Sequence, residues 1–345
     1  MAEFLHPDLQ YARYEYFSGG FPAPYVQDLA RRVCREVTRV PRSAVIDIGS
    51  NDGGFLQRLK DSGVPRVLGI EPSRVLAAYA NSKGLETLPG YFEGPAVVRI
   101  LKEKGWNAGV IVVRFVLEHV VDPGEFFRGL ASLADRETRL LIEVPDVDFI
   151  LENAIFTGFW DQHVNYFNLH TLQRLGARHG FKIDEYDYQY NRNEKILRAC
   201  LRLADAPKSP THPMTGRSVL EKFPLAVMQK LAEIHGFVQS RHEEGKRLFL
   251  YGASHTPANI VNYAGIGRFF QCALDREERK TGKYLPGSKL RVMPVDRLEN
   301  EVPDYCLIGA LGSEDQIISR HGQYSSRGGK FIRLFPRLEV VPNDQ

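Results

Sequence analysis

Three stretches of this sequence hold residues whose types and spacing suit chemistry. In the first, the apolar run Val45-Ile46-Asp47-Ile48 passes through Gly49-Ser50-Asn51-Asp52-Gly53-Gly54 into Phe55-Leu56-Gln57-Arg58-Leu59, whose apolar residues have helical spacing. Glycines let a backbone approach a ligand closely, and a helix N-terminus offers amide donors to a carboxylate. The second is Glu71, which closes the next apolar run about 20 residues beyond the glycine turn, the separation at which an acidic side chain meets ribose hydroxyls. Together they describe a pocket for an adenosyl ligand with an aminoacyl tail. A tight turn and a solvated strand end would explain the same residues separately, but loop, acid and strand order agree. A dinucleotide is the rival ligand, and the loop lacks the Gly-x-Gly-x-x-Gly spacing.

The third stretch, Phe159-Trp160-Asp161-Gln162-His163-Val164-Asn165-Tyr166-Phe167, sets a histidine among aromatic rings. An imidazole titrates near neutrality and can take a proton from an acceptor, while the rings exclude water. A structural histidine satisfied by a backbone carbonyl fits these residues as well. His119 and Arg114 follow a further apolar run, on the edge where open parallel sheets bind ligands. His119 faces a reacting group or caps a helix start. Arg114 holds a carboxylate or phosphate, or joins a surface ion pair. His255 and Asn259 open a later helix, where they meet a diphosphate or cap the helix.

These residues need a scaffold, and the pattern supplies one. The runs 44–48, 66–70, 108–113 and 140–143 are nearly continuous in Val, Ile and Leu, as strands covered on both faces are. Helical spacing over 53–59, 73–83 and 123–133 lies between them, so the alternation predicts a doubly wound α/β sheet. A helix over 169–179 and strands over 181–188 and 196–203 complete it. The proline-rich segment 205–213 reads as a linker, followed by a long helix from Ser218 to about Lys246 and a second strand-turn-helix unit from Arg247. The expected domains are a helical or lid segment over 1–40, a cofactor domain over 41–205, a linker with the long helix over 206–246, and a smaller α/β domain over 247–345.

A chain of 345 residues exceeds what one core comfortably fills, which agrees with two domains. A net charge of +3, with both signs interspersed, gives no field to gather nucleic acid. The four cysteines are far apart and read as buried thiols rather than zinc ligands. The first residues lack a signal-peptide pattern and no stretch is long enough to cross a bilayer, so the expected location is cytoplasmic.

The sequence resembles class I methyltransferases and, more narrowly, the nucleotide-sugar C-methyltransferase family that acts on 4-keto-deoxysugars. The likeness runs through 47–53, Gly69-Ile70-Glu71-Pro72-Ser73, 116–123, Glu143-Val144-Pro145-Asp146 and His163-Val164-Asn165-Tyr166-Phe167. It returns in Tyr251-Gly252-Ala253, 262–266, Asp275-Arg276 and 280–287. The resemblance implies a Rossmann-like methyltransferase domain, S-adenosylmethionine as methyl donor with S-adenosylhomocysteine as product, and a C-terminal domain that helps hold a sugar nucleotide. It implies a cofactor set of Asp47, Gly49, Ser50, Asn51, Gly53, Glu71, Pro72, Phe92, Arg114 and Phe115. His163, His119 and Tyr16 become the catalytic candidates. Tyr14, Trp160, Gln162, Asn165, Tyr166, His255 and Asn259 become acceptor contacts.

Two departures bear on the chemistry. The family's cysteine-rich zinc domain has no counterpart before Tyr14, so no metal is expected. Trp160-Asp161-Gln162-His163 stands where the family has Tyr-x-Glu-His, and a neutral amide orients a substrate but moves no proton. The expected activity is methylation of a nucleotide-linked sugar or related small polar metabolite in natural-product or glycan biosynthesis. O- or N-methylation of a non-keto small molecule is the alternative within catalysis, and a non-catalytic S-adenosylmethionine-binding protein the alternative outside it.

Overall fold

The computed structural model describes residues 23–37, 43–160, 162–191, 193–205 and 212–341. Tyr14, Tyr16 and most of the proline-rich linker lie outside the described residues. The chain divides into two compact units, residues 1–147, 160–189 and 195–214 in one, and 148–159, 190–194 and 215–345 in the other.

The first unit holds strands β1 (Ser43–Ile48), β2 (Val67–Glu71), β3 (Thr87–Pro89), β4 (Asn107–Arg114), β5 (Arg139–Pro145), β6 (Phe181–Asn191) and β7 (Glu194–Leu203). They form a seven-stranded sheet in the order β3-β2-β1-β4-β5-β7-β6, parallel from β3 to β5, with β7 antiparallel to β5. Helix α1 (Ala23–Val37) packs on it, and crossover helices α2 (Gly54–Asp61), α3 (Arg74–Ser82), α4 (Gly94–Lys104) and α5 (Pro123–Leu133) connect and cover it. Successive strand residues point to opposite faces. Ile46, Ile48, Ile111 and Val113 therefore pack with Leu101, Phe127 and Leu130, whereas Val45, Val110 and Val112 pack with Leu29, Val33, Leu56 and Leu59. Two cores, one per face, explain why the strands read as unbroken apolar runs.

Two further helices fall between β5 and β6 in the chain, α6 (Val147–Glu152) and α7 (Leu169–Arg178), the latter started by a reciprocal cap between Asn168 and Thr171. The second unit includes the long helix α8 (Arg217–Glu243). Its strands are β8 (Leu248–Tyr251), β9 (Ala273–Asp275), β10 (Val292–Pro294), β11 (Tyr305–Ile308), β12 (Lys330–Arg333) and β13 (Glu339–Val341). Their order is β10-β9-β8-β11-β12-β13, parallel except for the last pair. Helix α9 (His255–Tyr263) crosses from β8 to β9. Leu248 and Leu250 share one core with Ile234, Val238 and Ile260, while Phe249 and Tyr251 share another with Leu298, Ile317 and Tyr324.

The fold is therefore the one expected: a Rossmann-like class I methyltransferase domain followed by a smaller α/β domain. The unit boundaries differ in detail from those drawn on the sequence. Ile150, Ile155 and Phe156 belong to the core built on α8 and β8, and the Asn193 amide donates to the Glu314 carboxylate. Short excursions of the chain thus belong to the second unit, which composition cannot reveal.

Candidate active site

Chain order reverses between β1 and β4, which opens a crevice beyond their carboxyl ends. The turn after β1 is built for close approach. Gly49 has φ +77° and Gly53 φ +76°, and a Cβ on Gly49 would lie 2.4 Å from Val116 Cγ2 in the loop after β4. Asn51 (φ +54°) and Phe115 (φ +51°) adopt left-handed backbone without being glycine, and such local strain gathers at functional sites.

Glu71 organises this turn. Its Oε2 accepts the Asn51 amide at 2.9 Å and its Oε1 accepts the Ser73 amide at 2.8 Å. Burial pushes its carboxyl above the ordinary range, against the pull of those two amides. A carboxylate has about four acceptor positions, so two remain for a diol. The loop amides behave differently from the expected cradle. Gly49 and Ser50 donate to the Ile70 carbonyl, Asn51 to Glu71, Asp52 to its neighbour's Oδ1, Gly53 to the Ser50 carbonyl and Gly54 to Asp52. Asn51, Asp52 and Glu71 are acceptors close enough to take them. The amides that helix geometry leaves without an intrahelical acceptor are then those of Phe55 and Leu56, at the start of α2. A buried acid locked in orientation at the strand end and a helix N-terminus beside it fit an adenosyl ligand.

Asp47 sits behind the turn, fully buried. Burial pushes its carboxyl up to about 7, the Arg114 guanidinium pulls it down, and Glu71 and Glu143 raise it. The Arg114 Nε donates to Glu143 at 2.8 Å, and the guanidinium lies 4.9 Å over the Phe55 ring. The ion pair joins a half-buried Arg114 to a fully buried Glu143. Glu143 also accepts from Arg198 at 2.8 Å, and Arg198 continues to Asp28 on α1 at 3.0 Å. The Ser50 hydroxyl is buried against side-chain-free Gly69, and half-buried Pro72 leads into Ser73, the cap of α3. Phe92, expected at the cofactor, has its ring edge-on to Phe126 of α5 at 5.2 Å and packs on the core.

The aromatic stretch is fastened to the loop after β4. The Glu118 carbonyl accepts the Val164 and Asn165 amides at 2.9 and 3.0 Å, and the Asn165 side chain donates to the Val120 carbonyl. Asn165 is thus tied to the loop after β4 by both its main chain and its side chain. These bonds bring His119 and His163 together, with ring centroids 4.9 Å apart. Trp160 lies 4.8 Å from His163 and 6.0 Å from His119, and Tyr166 lies 6.2 Å from His163. His119 Nδ1 is 2.8 Å from the Gln162 main-chain carbonyl. A carbonyl only accepts, so Nδ1 carries the proton and Nε2 keeps its lone pair. Burial lowers the His119 pKa and favours the neutral ring, against the opposing pull of the bond to Gln162. The buried Glu118 carboxylate beside the two rings was not singled out in the sequence, where only its adjacency to His119 could have marked it.

In the second unit His255 is exposed at the start of α9, with its Nε2 3.0 Å from the Thr256 hydroxyl, and Asn259 is half-buried one turn on. The turn after β8 repeats the design of the first unit. Gly252 has φ +107° and donates to the Leu274 carbonyl, while Asp275 at the end of β9 accepts the Ala253 and Glu277 amides, both at 2.9 Å.

Residues 25–186 match the family described as methyltransferase domain, and residues 210–336 match the C-methyltransferase C-terminal domain. C-methyltransferase NovU of Streptomyces niveus is 25% identical over 351 residues, covering 98% of this chain and 83% of that protein. Among solved structures, magnesium protoporphyrin IX methyltransferase from Synechocystis PCC 6803 with bound SAH is 18% identical over 52% of this chain and 82% of its own, at a TM-score of 0.40. A SAM-dependent methyltransferase from Archaeoglobus fulgidus is 16% identical over 51% of this chain and 93% of its own, at 0.41. Two family matches in sequence order, on a sheet that brings Glu71 and a glycine turn to one edge, make this chain a class I S-adenosylmethionine-dependent methyltransferase related to NovU-like C-methyltransferases.

Proposed function

We propose that the acceptor is a nucleotide-linked sugar or a related small polar metabolite, and that His163 takes a proton from it. The observation that carries this reading is the ring cluster of His163, His119, Trp160 and Tyr166, fastened by main-chain bonds to the loop after β4. Bound S-adenosylmethionine supplies an electrophilic methyl group on sulfur. Glu71 holds the ribose diol of that cofactor, and the glycine turn gives its tail room. The rings of Trp160 and Tyr166 exclude water around His163, where proton transfer by a positioned base contributes typically about 10²–10⁴-fold.

His119, with Nε2 free of a proton, orients the acceptor beside His163, and its neutral state matches burial among rings. The name of NovU, a relative along nearly the whole chain, supports carbon as the methylated atom. The turn at Gly252 and Asp275 supports a nucleotide-bearing acceptor, because an acid at that position suits a ribose in the second unit as Glu71 does in the first. Incubation with isotopically labelled methyl donor and a panel of nucleotide sugars, followed by mass analysis, tests the reading. Label on a sugar carbon supports it. Label only on hydroxyl or amine acceptors overturns carbon methylation.

A further inference from the structure

We infer that Glu118, His119 and His163 form a binding site for a divalent first-row transition ion. Each offers one ligand atom, and the three atoms lie within 4.8 Å of one another. Donors around an ion held at about 2.0–2.2 Å are separated by about 3–4 Å, so the side chains need to close by roughly 1 Å. One carboxylate and two neutral imidazoles balance half of a +2 charge and leave a coordination position open. Nitrogen donors favour zinc, nickel or cobalt over magnesium and calcium, which prefer oxygen.

The surroundings are those of a prepared site. His119 donates its Nδ1 proton to the Gln162 carbonyl at 2.8 Å, which fixes the tautomer and aims the Nε2 lone pair away from that bond. Metal-ligating histidines are typically held in this way. The Glu118 carbonyl accepts the amides of Val164 and Asn165, so the segment carrying His163 is tied to the residue that supplies the carboxylate. Glu118 is buried, and Trp160 and Tyr166 wall the histidines. Low polarity around a cation strengthens its bonds to charged ligands. Coordination needs a lone pair from His163, so an ion there competes with proton transfer to the same nitrogen. The site stands whatever the acceptor proves to be.

The test is direct. The full chain, without an affinity tag and dialysed against chelator, is titrated with cobalt(II) and followed by visible absorption and calorimetry. One ion per chain is expected, with a spectrum of nitrogen and oxygen ligands, and His163→Gln and Glu118→Gln each weaken binding about 10-fold or more. Each variant is first shown to bind S-adenosylhomocysteine as the wild type does. No uptake by the wild type overturns the site, as does affinity unchanged in both variants. A thiolate charge-transfer band, placing the ion on one of the four free cysteines, overturns it too. None of these results touches methyl transfer itself, which is judged on product, whereas a bound ion would withhold the His163 nitrogen from its role as base.

Discussion

Asp47 makes the stability of the first unit depend on pH in a direction opposite to that of most carboxylates. Its carboxyl is fully buried and pushed from 3.8 up to about 7, with burial as the main cause, Arg114 opposing, and Glu71 and Glu143 reinforcing. A folded-state pKa above the unfolded one means the contribution to stability is complete below about pH 3.8. It is lost as pH rises through about 7, because the unfolded chain ionises Asp47 first. Roughly three units at 1.36 kcal/mol each amount to about 4 kcal/mol, an order-of-magnitude figure. Asp47→Asn keeps the shape and cannot ionise, so it removes this dependence while other groups cancel in the comparison. The assay is urea unfolding followed by tryptophan emission, since Trp106 and Trp160 both lie in the unit that holds Asp47. Unfolding free energy, wild type minus variant, is expected to fall by about 1.4 kcal/mol per pH unit between about pH 4 and 7, then level off. A difference that is constant over that range, or rises with pH, would refute the buried neutral carboxyl.

Four further outcomes follow from the geometry. Gly49→Ala places a Cβ 2.4 Å from Val116 in a left-handed backbone, so it destabilises by more than about 1 kcal/mol and weakens S-adenosylhomocysteine binding, both readable by calorimetry. Glu71→Ala leaves the Asn51 and Ser73 amides without their acceptor, at about 1–3 kcal/mol each, and lowers cofactor affinity in the same titration. His163→Ala lowers kcat by about 10²-fold or more while cofactor affinity stays within about 3-fold, and an unchanged kcat would remove its role as base. Arg198→Ala removes one of the two guanidinium partners of buried Glu143, leaving Arg114, and destabilises by about 1–3 kcal/mol in denaturant unfolding.

The parallel sheet was legible because burial on both faces writes itself as continuous apolar runs, and Gly49, Gly53 and Glu71 were legible because a crossover fixes their separation. Two elements, β3 and α4, were not, since three strand residues give no periodicity to read and Gly94-Pro95 masks a helix start. The polar network was hidden for another reason. Asp28, Glu143 and Arg198 are far apart in sequence and meet only when α1 lies against the sheet and β7 pairs with β5. The pairing of Arg114 with Glu143 was hidden because that partner, 29 residues away, is brought beside it by strand register. The loop amides looked available because their donation to the side-chain oxygens of Asn51 and Asp52 depends on φ angles no spacing reveals.

The departures at 160 and 162 carry a sharper lesson about which atoms do the work. Gln162 replaces an acid, which on sequence grounds weakens proton transfer near His163. In the folded chain residue 162 holds His119 through its main-chain carbonyl, a group that every amino acid supplies. The substitution therefore leaves the tautomer of His119 intact, and Trp160 in place of tyrosine keeps a ring against both histidines. What changes is the acid available beside them. Gln162→Glu is thus expected to alter the pH dependence of kcat through a new ionisable group without displacing His119. If Gln162→Ala instead abolished turnover outright, the side-chain amide rather than the carbonyl would be the group the reaction needs.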